Sequence, residues 1–510
     1  MISAIALDLG STSVKAGLLD RNGELIHIVA TLAPRIVVSG GHYESDALAY
    51  ATAAEQVLGE CAQQAGDCRT LGLCSQRSSF LIWEPATGQP LTPLISWQDN
   101  RGAASCEALC AHEHSIRALT GLPLTPYYFA PKLRILLQDN PAWRSRLEQG
   151  DLLTGTLDTF LIWRWSGGKH FVTDASMAAR TLLMDIRQQQ WSPQLCELFG
   201  IPPGILAEIR PSAGLQLLLE NGLTLQASVG DQSAALIASV SNDRAEALVN
   251  LGTGGFVVRY LPGEKSALTG YLHTLVYQDN ARHGHLAIEG TLNSIAAALA
   301  PYPVRECRFE DFATGSMTRH CEASGVGMPP PHLFPQSAGY ASNVSEADDI
   351  FCLAEPSGLG APYFASSCYA ACLPDPFHND LGIRFSRPVE HLTQQRIAAL
   401  LLEGIIFRVA RILEDFHRDS AIESVYLSGG LSELACLQQG IAGCVPFDVY
   451  RLEQKDASLC GAAMLAAGME PACHGAKEKI QPPPDTVSLQ EKYRRWKDWL
   501  DGLLAEIPAP

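Results

Sequence analysis

The chain has 510 residues, of which 47% are apolar and 18% charged, so it is long enough for two or three packed domains. Its 37 basic and 54 acidic residues give a formal net charge of −17, which repels nucleic acids and anionic membranes. The densest basic stretch, residues 492–497, is interpreted as one face of a terminal helix, so we expect no nucleic-acid partner and no membrane partner.

The N-terminal residues predict a hairpin. Residues 2–8 and 14–19 are apolar segments that flank Gly10-Ser11-Thr12, a pattern typical of strand, tight turn and strand. Backbone amides and hydroxyls of such a turn form a concave nest for phosphate oxygens. Asp8 ends the first strand, where a carboxylate can hold Mg²⁺ that bridges those phosphates. A single loop of this kind is weak evidence, because Gly, Ser and Thr also occur in ordinary turns.

Residues 227–240 predict a strand that turns into a helix of small residues at Gly230-Asp231-Gln232. Asp231 is either a functional carboxylate or the N-cap of that helix, and the two roles are compatible. The apolar pattern breaks at residues 242–244, so we place the end of the first domain at residue 244.

A second hairpin of the same kind follows at residues 247–260, ALVNLGTGGFVVRY. An apolar strand leads through Asn250 into a turn at Gly252-Thr253-Gly254, and a second apolar strand follows. Two phosphate-sized hairpins in one chain indicate two halves built alike.

The second domain is expected over residues 245–470. Apolar residues at helical spacing predict a long helix over 393–416, and ESVYLSGG predicts a strand that ends at Gly429-Gly430. A glycine pair in that position lets a nucleotide approach the backbone closely. Residues 301–345 lack periodicity and are interpreted as an irregular insertion.

The last segment, residues 471–510, is expected to contain a linker and a terminal helix. Residues 474–485, HGAKEKIQPPPD, are interpreted as a linker to a terminal helix at 487–505.

The fifteen cysteines are scattered and include no C-x-x-C pair, which favours reduced thiols of a cytoplasmic protein over a disulfide framework. Cys368 and Cys372, near His378, are a weak alternative metal site. Asp8 interrupts the N-terminal apolar stretch and no uncharged run reaches the roughly 18 residues of a membrane span, so we expect neither a signal peptide nor an anchor.

Neither G-x-x-x-x-G-K-[ST] nor G-x-G-x-x-G occurs in a suitable context, so a different nucleotide fold is required. The order of four motifs resembles the FGGY family of carbohydrate kinases, within the actin/Hsp70/sugar-kinase superfamily: Asp8-Leu9-Gly10-Ser11-Thr12, Gly230-Asp231-Gln232, Gly252-Thr253-Gly254 and Ser428-Gly429-Gly430. Residues 75–102 and 120–133 are similar to the substrate-binding segments of the glycerol kinase branch.

The resemblance implies an α/β protein in which two ribonuclease H-like (actin-like ATPase) domains flank a central cleft. It implies ATP as phosphoryl donor with Mg²⁺, a small polyol or sugar as acceptor, and a homodimer or homotetramer. It implies that Asp231 is the general base and that Asp8 supports the metal. The acceptor pocket would be lined by Arg77, Trp97, Tyr127, Asp231, Gln232 and Phe256. The nucleotide would be held by Ser11, Thr12, Thr253, Gly254, Gly429 and Gly430.

Arg77 and Asp231 would bracket the hydroxyls of a polyol, while Trp97 and Phe256 cover its carbon face. The alternative roles are a surface ion pair for Arg77 and ordinary core packing for the two aromatic residues. Ser78 stands where glycerol kinases have a glutamate, which leaves room for a ketose or larger polyol such as xylulose or ribulose. An alternative of another class is an actin- or Hsp70-like nucleotide-dependent binding protein without kinase activity.

Overall fold

The computed structural model places two sheets of similar topology on either side of a cleft. The described residues are 1–242, 245–261, 268–312, 349–363, 383–454, 456–472 and 475–505.

The first sheet is formed by six strands, which are β1 Ile2–Leu9, β2 Ser13–Asp20, β3 Leu25–Leu32, β4 Thr70–Ser75, β5 Ala213–Leu218 and β6 Thr224–Gly230. Their order across the sheet is β5-β6-β4-β1-β2-β3. β1 pairs antiparallel with β2 and parallel with β4, and β4 pairs parallel with β6. The carboxyl ends of β1, β4 and β6 therefore lie at the same edge of the sheet.

The second sheet is formed by seven strands, which are β7 Glu246–Leu251, β8 Gly255–Tyr260, β9 Leu272–Gln278, β10 Gly284–Leu292, β11 Ser424–Ser428, β12 Asp448–Leu452 and β13 Lys477–Ile480. Their order is β9-β10-β8-β7-β11-β12-β13. β7 pairs antiparallel with β8 and parallel with β11, and β11 pairs parallel with β12.

The two sheets repeat one arrangement. The order β2-β1-β4-β6 of the first sheet matches β8-β7-β11-β12 of the second, with the same parallel and antiparallel pairs. This confirms the prediction of two halves built alike, each opening with a hairpin. The tips of these hairpins, residues 10–12 and 252–254, end the equivalent first strands of the two sheets.

The helices of the described residues include α1 Ala47–Ala62, α2 Asp231–Ser239, α3 Gln394–Asp419, α4 Ala435–Cys444, α5 Ala457–Ala466 and α6 Val487–Ala505. Further helices span Ala103–Leu109, Glu113–Thr120, Phe129–Asp139, Pro141–Glu148, Leu157–Trp165, Ala175–Ala178, Pro193–Phe199 and Ile295–Leu299. A small sheet beside the first one contains Val37–Ser39, His42–Ser45, Phe80–Glu84, Gln89–Pro90, Leu94–Ile95 and Leu153–Thr156. Two-stranded pairs join Val172–Asp174 to Glu208–Arg210, Met184–Asp185 to Gln190–Trp191 and Cys352–Leu353 to Arg384–Phe385.

The long helix predicted over 393–416 is confirmed as α3. The Thr393 hydroxyl accepts a hydrogen bond from the backbone N–H of Arg396 and so caps its first turn. Apolar residues on nearly every face of α3 are buried, because the second sheet and α6 cover it from different directions. The predicted terminal helix is confirmed as α6, and Trp496 on α6 is fully buried in the same core.

Two short helices, α2 and α5, connect the halves. Each follows the last parallel strand of its own sheet, and the two pack tightly against each other. Leu236 and Ile237 of α2 pack with strands of the second sheet, whereas Leu459 of α5 packs on the first. At the contact, a Cβ added to Gly461 would overlap the carbonyl oxygen of Ala234. The small residues of both helices therefore set how closely the halves approach.

One buried lysine fastens three loops of the first half. The Lys132 ammonium, fully buried in helix Phe129–Asp139, donates to the carbonyl oxygens of Ser78, Ser96 and Tyr127 at 3.3, 2.9 and 3.0 Å. These loops carry Arg77, Trp97 and Tyr127. Burial lowers the pKa of Lys132 to about 7, although the neighbouring Asp99 favours the charged form.

The segment predicted as a linker is partly a strand. The supposed linker at 474–485 contains β13, which pairs with β12, so that part of the interpretation is wrong. An Arg451–Glu478 ion pair of 2.9 Å and the burial of Ile480 stabilise a strand too short to show periodicity.

Most of the 301–345 insertion, and Cys368, Cys372 and His378, lie outside the described residues. Of the helices that the structure describes, none has the length and apolar content needed to cross a membrane.

The contact at Gly461 predicts a specific defect. Gly461→Ala should lower the free energy of unfolding by about 1–3 kcal/mol or more, because the methyl group forces α2 and α5 apart. Gly59→Ala is the control, since Gly59 lies in α1 and an added Cβ there meets open space. That substitution should stabilise by about 0.5–1 kcal/mol through helix propensity. Denaturant unfolding measures the free energy of unfolding of both variants. An equal increase in the two would contradict the close contact at Gly461.

Lys132 predicts a pH dependence of stability. Its pKa of about 7 in the folded chain lies below the usual 10.5, so the unfolded chain holds this proton more strongly between those values. The free energy of unfolding of the wild type should therefore rise with pH across that window relative to Lys132→Met. The variant should be less stable, by about 1–3 kcal/mol for each buried carbonyl left without a donor. Lys479→Met, at an exposed site, should keep the wild-type dependence of stability on pH across that window. If Lys132→Met and Lys479→Met gave the same dependence, the assignment of this titration to Lys132 would be wrong.

Candidate active site

A first cavity of about 500 Å³ opens between the two sheets. The tip of the first hairpin lines one wall, and the turn after β11 lines the opposite wall. The predicted site residues that line it include Asp8, Ser11, Thr12, Gly429 and Gly430.

A second cavity of about 560 Å³ adjoins the first. It contains the remaining predicted residues: Arg77, Trp97, Tyr127, Asp231, Gln232, Phe256, Thr253 and Gly254. Ser11, Asp231, Gln232 and Asn250 line both cavities, so the two meet beside the carboxylate of Asp231. The structure thus brings all the sequence-predicted site residues to one continuous cleft.

Asp231 is the first residue of α2, and Gly230 occupies the cap position, so the N-cap alternative for Asp231 is wrong. Its Oδ1 accepts a hydrogen bond of 2.7 Å from the backbone N–H of Gln232 and lies 3.6 Å from Nε of Arg77. Burial raises the pKa of Asp231, while the charge of Arg77 acts in the opposite direction. A carboxylate held in this way can accept a proton from a hydroxyl in the second cavity.

Asp8 is the penultimate residue of β1, next to the tip of the first hairpin. Its Oδ2 accepts a hydrogen bond of 2.7 Å from the hydroxyl of Ser458, whereas its buried Oδ1 has no partner among the described residues. Burial raises the pKa of Asp8 to about 6, and the charge of Asp231 adds to that effect. Within the described residues, no group of three or more His, Cys, Asp or Glu side chains forms a metal site. An unpartnered carboxylate oxygen beside a phosphate loop fits Mg²⁺, which uses one or two carboxylates together with substrate phosphates.

Gly429 brings the turn after β11 against the end of β7. Its φ of +89° favours glycine, and an added Cβ would overlap the carbonyl oxygen of Leu251. The 3₁₀ turn Gly430–Glu433 then leads into α4. Backbone is therefore exposed to the cavity at Gly429 and Gly430.

Aromatic rings form one wall of the second cavity. The rings of Trp97 and Tyr127 lie 5.2 Å apart at 51°, and Phe256 lines the cavity from the second hairpin. Trp97 and Phe256 are only half-buried, which excludes simple core packing. Arg77 is 5% exposed, so the surface ion-pair alternative is wrong.

Sequence reasoning missed a second charged pair in this cavity. Arg180 and Glu289 are 4% and 5% exposed, and Nη1 of Arg180 lies 3.9 Å from Oε2 of Glu289. A signal was present for Glu289, because a carboxylate interrupts the apolar strand β10. Arg180 lies in a stretch of small residues that gave no signal.

Ser78 does not provide the free space expected from the sequence. It has a φ of +63° and is 1% exposed, and its hydroxyl donates a hydrogen bond of 3.0 Å to the carbonyl oxygen of Arg180. It is not among the described residues that line the second cavity. Its side chain therefore supports the backbone at Arg180.

Comparison with known proteins gives one consistent family. Residues 3–249 match the N-terminal domain of the FGGY family of carbohydrate kinases, and residues 247–469 match its C-terminal domain. A glycerol kinase of Rhodopirellula baltica is 29% identical over 91% of this chain and 82% of its own length. Glycerol kinase 1 of Streptomyces avermitilis is 28% identical over 98% and 93%.

Solved structures share the fold. Plasmodium falciparum glycerol kinase with ADP superposes with a TM-score of 0.78 at 20% identity, covering 98% of each chain. Gluconate kinase from Lactobacillus acidophilus gives a TM-score of 0.76 at 17% identity, covering 99% of this chain and 98% of its own. The architecture is that of sugar kinases in the actin-like ATPase superfamily, as the sequence predicted. The chain belongs to the FGGY family of carbohydrate kinases and is therefore a phosphotransferase that uses ATP to phosphorylate a hydroxyl of a small sugar or polyol.

Proposed function

We propose that this protein is a Mg²⁺-dependent, glycerol-kinase-like enzyme in which Asp231 is the general base. The observation that carries the proposal is the meeting of the two cavities at Asp231, Gln232, Asn250 and Ser11. A donor phosphate in the first cavity and an acceptor hydroxyl in the second would meet beside this carboxylate.

The acceptor binds in the second cavity. Arg77 donates to its hydroxyl groups and Asp231 accepts from them, and Gln232 adds an amide. Trp97, Tyr127 and Phe256 cover the carbon face of the chain. Because Lys132 fastens the loops of Arg77, Trp97 and Tyr127 to one point, these groups keep a fixed spacing before the acceptor arrives.

The nucleotide binds in the first cavity. Hydroxyls and amides of Ser11 and Thr12 hold the phosphates there, and the terminal phosphate reaches the second cavity, where Thr253 and Gly254 of the other hairpin tip contact it. The exposed backbone at Gly429 and Gly430 lies along the adenosine. Asp8 would hold Mg²⁺, which would supply positive charge to neutralise the transferred phosphoryl group.

Phosphoryl transfer then requires positioning and a route for one proton. The acceptor hydroxyl loses its proton to Asp231 as its oxygen bonds to the γ-phosphorus and the bond to ADP breaks. Approach of the two halves about α2 and α5 excludes water from the cleft.

A second candidate acceptor is a ketose or larger polyol such as xylulose or ribulose. Ser78 favours it, because the glutamate that grips glycerol in glycerol kinases is absent from this position and the serine hydroxyl is used elsewhere. Measuring ADP formation across glycerol, erythritol, pentitols, pentuloses and gluconate separates the candidates.

The location of the enzyme in the cell and its assembly are also proposals. A cytoplasmic location is supported by the cysteines, since those in the described part of the chain are all free thiols. Assembly as a homodimer or homotetramer stays a prediction from the family resemblance.

Removal of the proposed base gives a direct test. Asp231→Asn should lower kcat by about a hundred- to ten-thousandfold, the usual contribution of general-base catalysis. ADP binding, measured by calorimetry, should change little, because the γ-phosphate and acceptor are absent from that complex. Asp448→Asn, at an exposed site on β12, should behave like the wild type. Wild-type turnover in Asp231→Asn would refute the assignment.

The proposed metal ligand is tested by a pair of variants. Asp8→Asn should raise the Mg²⁺ concentration for half-maximal activity by about ten- to hundredfold, the value of one charge-assisted contact. Without Mg²⁺ its melting temperature should be equal to or above that of the wild type, because a buried, half-partnered charge is removed. Ser458→Ala keeps the carboxylate and should change the Mg²⁺ requirement much less. Equal Mg²⁺ requirements for the wild type and Asp8→Asn would contradict this role.

A further inference from the structure

A buried ion pair in the second half lies next to the second cavity without lining it. Nε of Arg408, on α3, donates a hydrogen bond of 2.7 Å to Oε1 of Glu355, and each side chain is 1% exposed. Neither is among the described residues that line the cavity. Any effect of this pair on the reaction therefore passes through the residues to which it bonds.

The pair bonds to two backbone segments at once. Nη2 of the arginine donates to the carbonyl oxygens of Thr291 and Ala361 at 3.2 and 3.1 Å. Oε2 of the glutamate accepts from the backbone N–H groups of Asn293 and Gly360 at 3.0 and 2.8 Å. Hydrogen bonds to charged groups are the strong ones, so the pair keeps the two segments at a fixed spacing.

Both segments, called below the 291–296 loop and the 357–361 loop, contribute to the wall of the second cavity. The hydroxyls of Ser294 and Ser357 lie 2.6 Å apart and join the two loops. Ser294 has a φ of +56°, a conformation that residues other than glycine adopt only where their surroundings hold them. The wall is therefore held in one conformation from behind.

The 291–296 loop also supports the tip of the second hairpin. The carbonyl oxygen of Thr253 accepts a hydrogen bond of 3.1 Å from the backbone N–H of Ala296. A Cβ added to Gly254 would lie only 3.1 Å from the carbonyl oxygen of Leu292, so tip and loop are in close contact. The position of the tip in the cavity thus depends on a loop that the buried pair holds.

We propose that Arg408 and Glu355 are positioning residues for phosphoryl transfer. They act through the 291–296 loop and hold Thr253 and Gly254 where the terminal phosphate of the donor is transferred. This inference rests on the proposed function, in which that hairpin tip contacts the terminal phosphate. A displacement of about 1 Å at a reacting group can lower the rate about a hundredfold, so a distant brace can matter to kcat.

The first test is Glu355→Gln, which keeps the shape of the side chain and removes its charge. It should lower kcat by about ten- to hundredfold. The affinity for a non-hydrolysable ATP analogue, measured by calorimetry, should fall by about tenfold, the value of a hydrogen bond to a charged group. ADP lacks the terminal phosphate, so its affinity should stay close to that of the wild type. Equal weakening of both nucleotides, or a wild-type kcat, would overturn the inference.

The second test is Arg408→Lys, which keeps a positive charge opposite Glu355. An ammonium group lacks the planar fork of a guanidinium, so it cannot bond to the carboxylate and to both backbone carbonyls in the same geometry. This variant should show the same difference between the two nucleotides and a lowered kcat. Full wild-type activity would show that the fork is not needed, and would overturn the inference.

A matched control is Glu403→Gln, which alters another buried ion pair of the same helix. Glu403 pairs with Lys492 of α6 at 2.6 Å, and each side chain is 2% exposed. This variant should lower the melting temperature, because a buried charge loses its partner, yet keep the wild-type kcat and the wild-type ratio of the two nucleotide affinities. If it reproduced the effect of Glu355→Gln, the cause would be a general loss of stability in α3 and the inference would be refuted.

Hydrogen exchange of the wild-type enzyme decides the matter even where the variants fail to fold. The amides of Asn293 and Gly360 already bond to Glu355 in the free protein, so peptides that contain them should retain slowly exchanging amides without any ligand. Exchange as fast as that of the exposed turn at 280–282 would overturn the inference. A wild-type enzyme without turnover on any acceptor would instead refute the proposed function, and the inference with it.

Discussion

The close contact of α2 with α5 is the constraint on which the site depends. Gly461 lets the two helices approach until its Cα faces the carbonyl of Ala234, and each helix packs against the sheet of the other half. The first residue of α2 is Asp231, and the first turn of α5 carries Ser458, which binds Asp8. One helix contact therefore holds both carboxylates of the cleft in relation to each other.

The cleft concentrates negative charge that the protein itself only partly balances. Burial raises the pKa of both Asp8 and Asp231, the charge of Asp231 raises that of Asp8 further, and Arg77 lies 3.6 Å from Asp231. Oδ1 of Asp8 has no protein partner among the described residues. Such an arrangement is costly in the free protein and becomes favourable when a divalent cation enters with the nucleotide. The lining therefore fits the proposed complex of Mg²⁺ with nucleotide phosphates.

The sequence predicted those parts of the protein that depend on local backbone chemistry. The two hairpins were visible because apolar strands run directly into Gly-Ser-Thr and Gly-Thr-Gly turns, and α3 was visible from its helical periodicity. β13 was missed because four residues carry no periodicity, and its stability comes from Arg451 on a neighbouring strand. Arg180 and Glu289 were missed because they are 109 positions apart and meet only after both halves have folded. The orientation of the Ser78 side chain is set by the folded structure. The sequence therefore showed the serine but not that its hydroxyl binds the backbone of Arg180.

Local backbone turns are predictable from sequence, whereas contacts between distant side chains are not. For this reason family membership determines the reaction more firmly than the acceptor. The proposed phosphate contacts come from turns and backbone amides at the ends of equivalent strands, and these turns follow from the topology that both halves share. Acceptor recognition relies on a few side chains from distant segments, held by contacts such as those of Lys132 and Ser78. At 28–29% identity to the glycerol kinases compared above, the topology is preserved while single side chains change. Ser78 binds the backbone of Arg180, and Glu289 places a carboxylate in the acceptor cavity from the opposite half. The acceptor cavity takes its polar side chains from both halves, so its shape depends on how closely α2 and α5 hold the halves together.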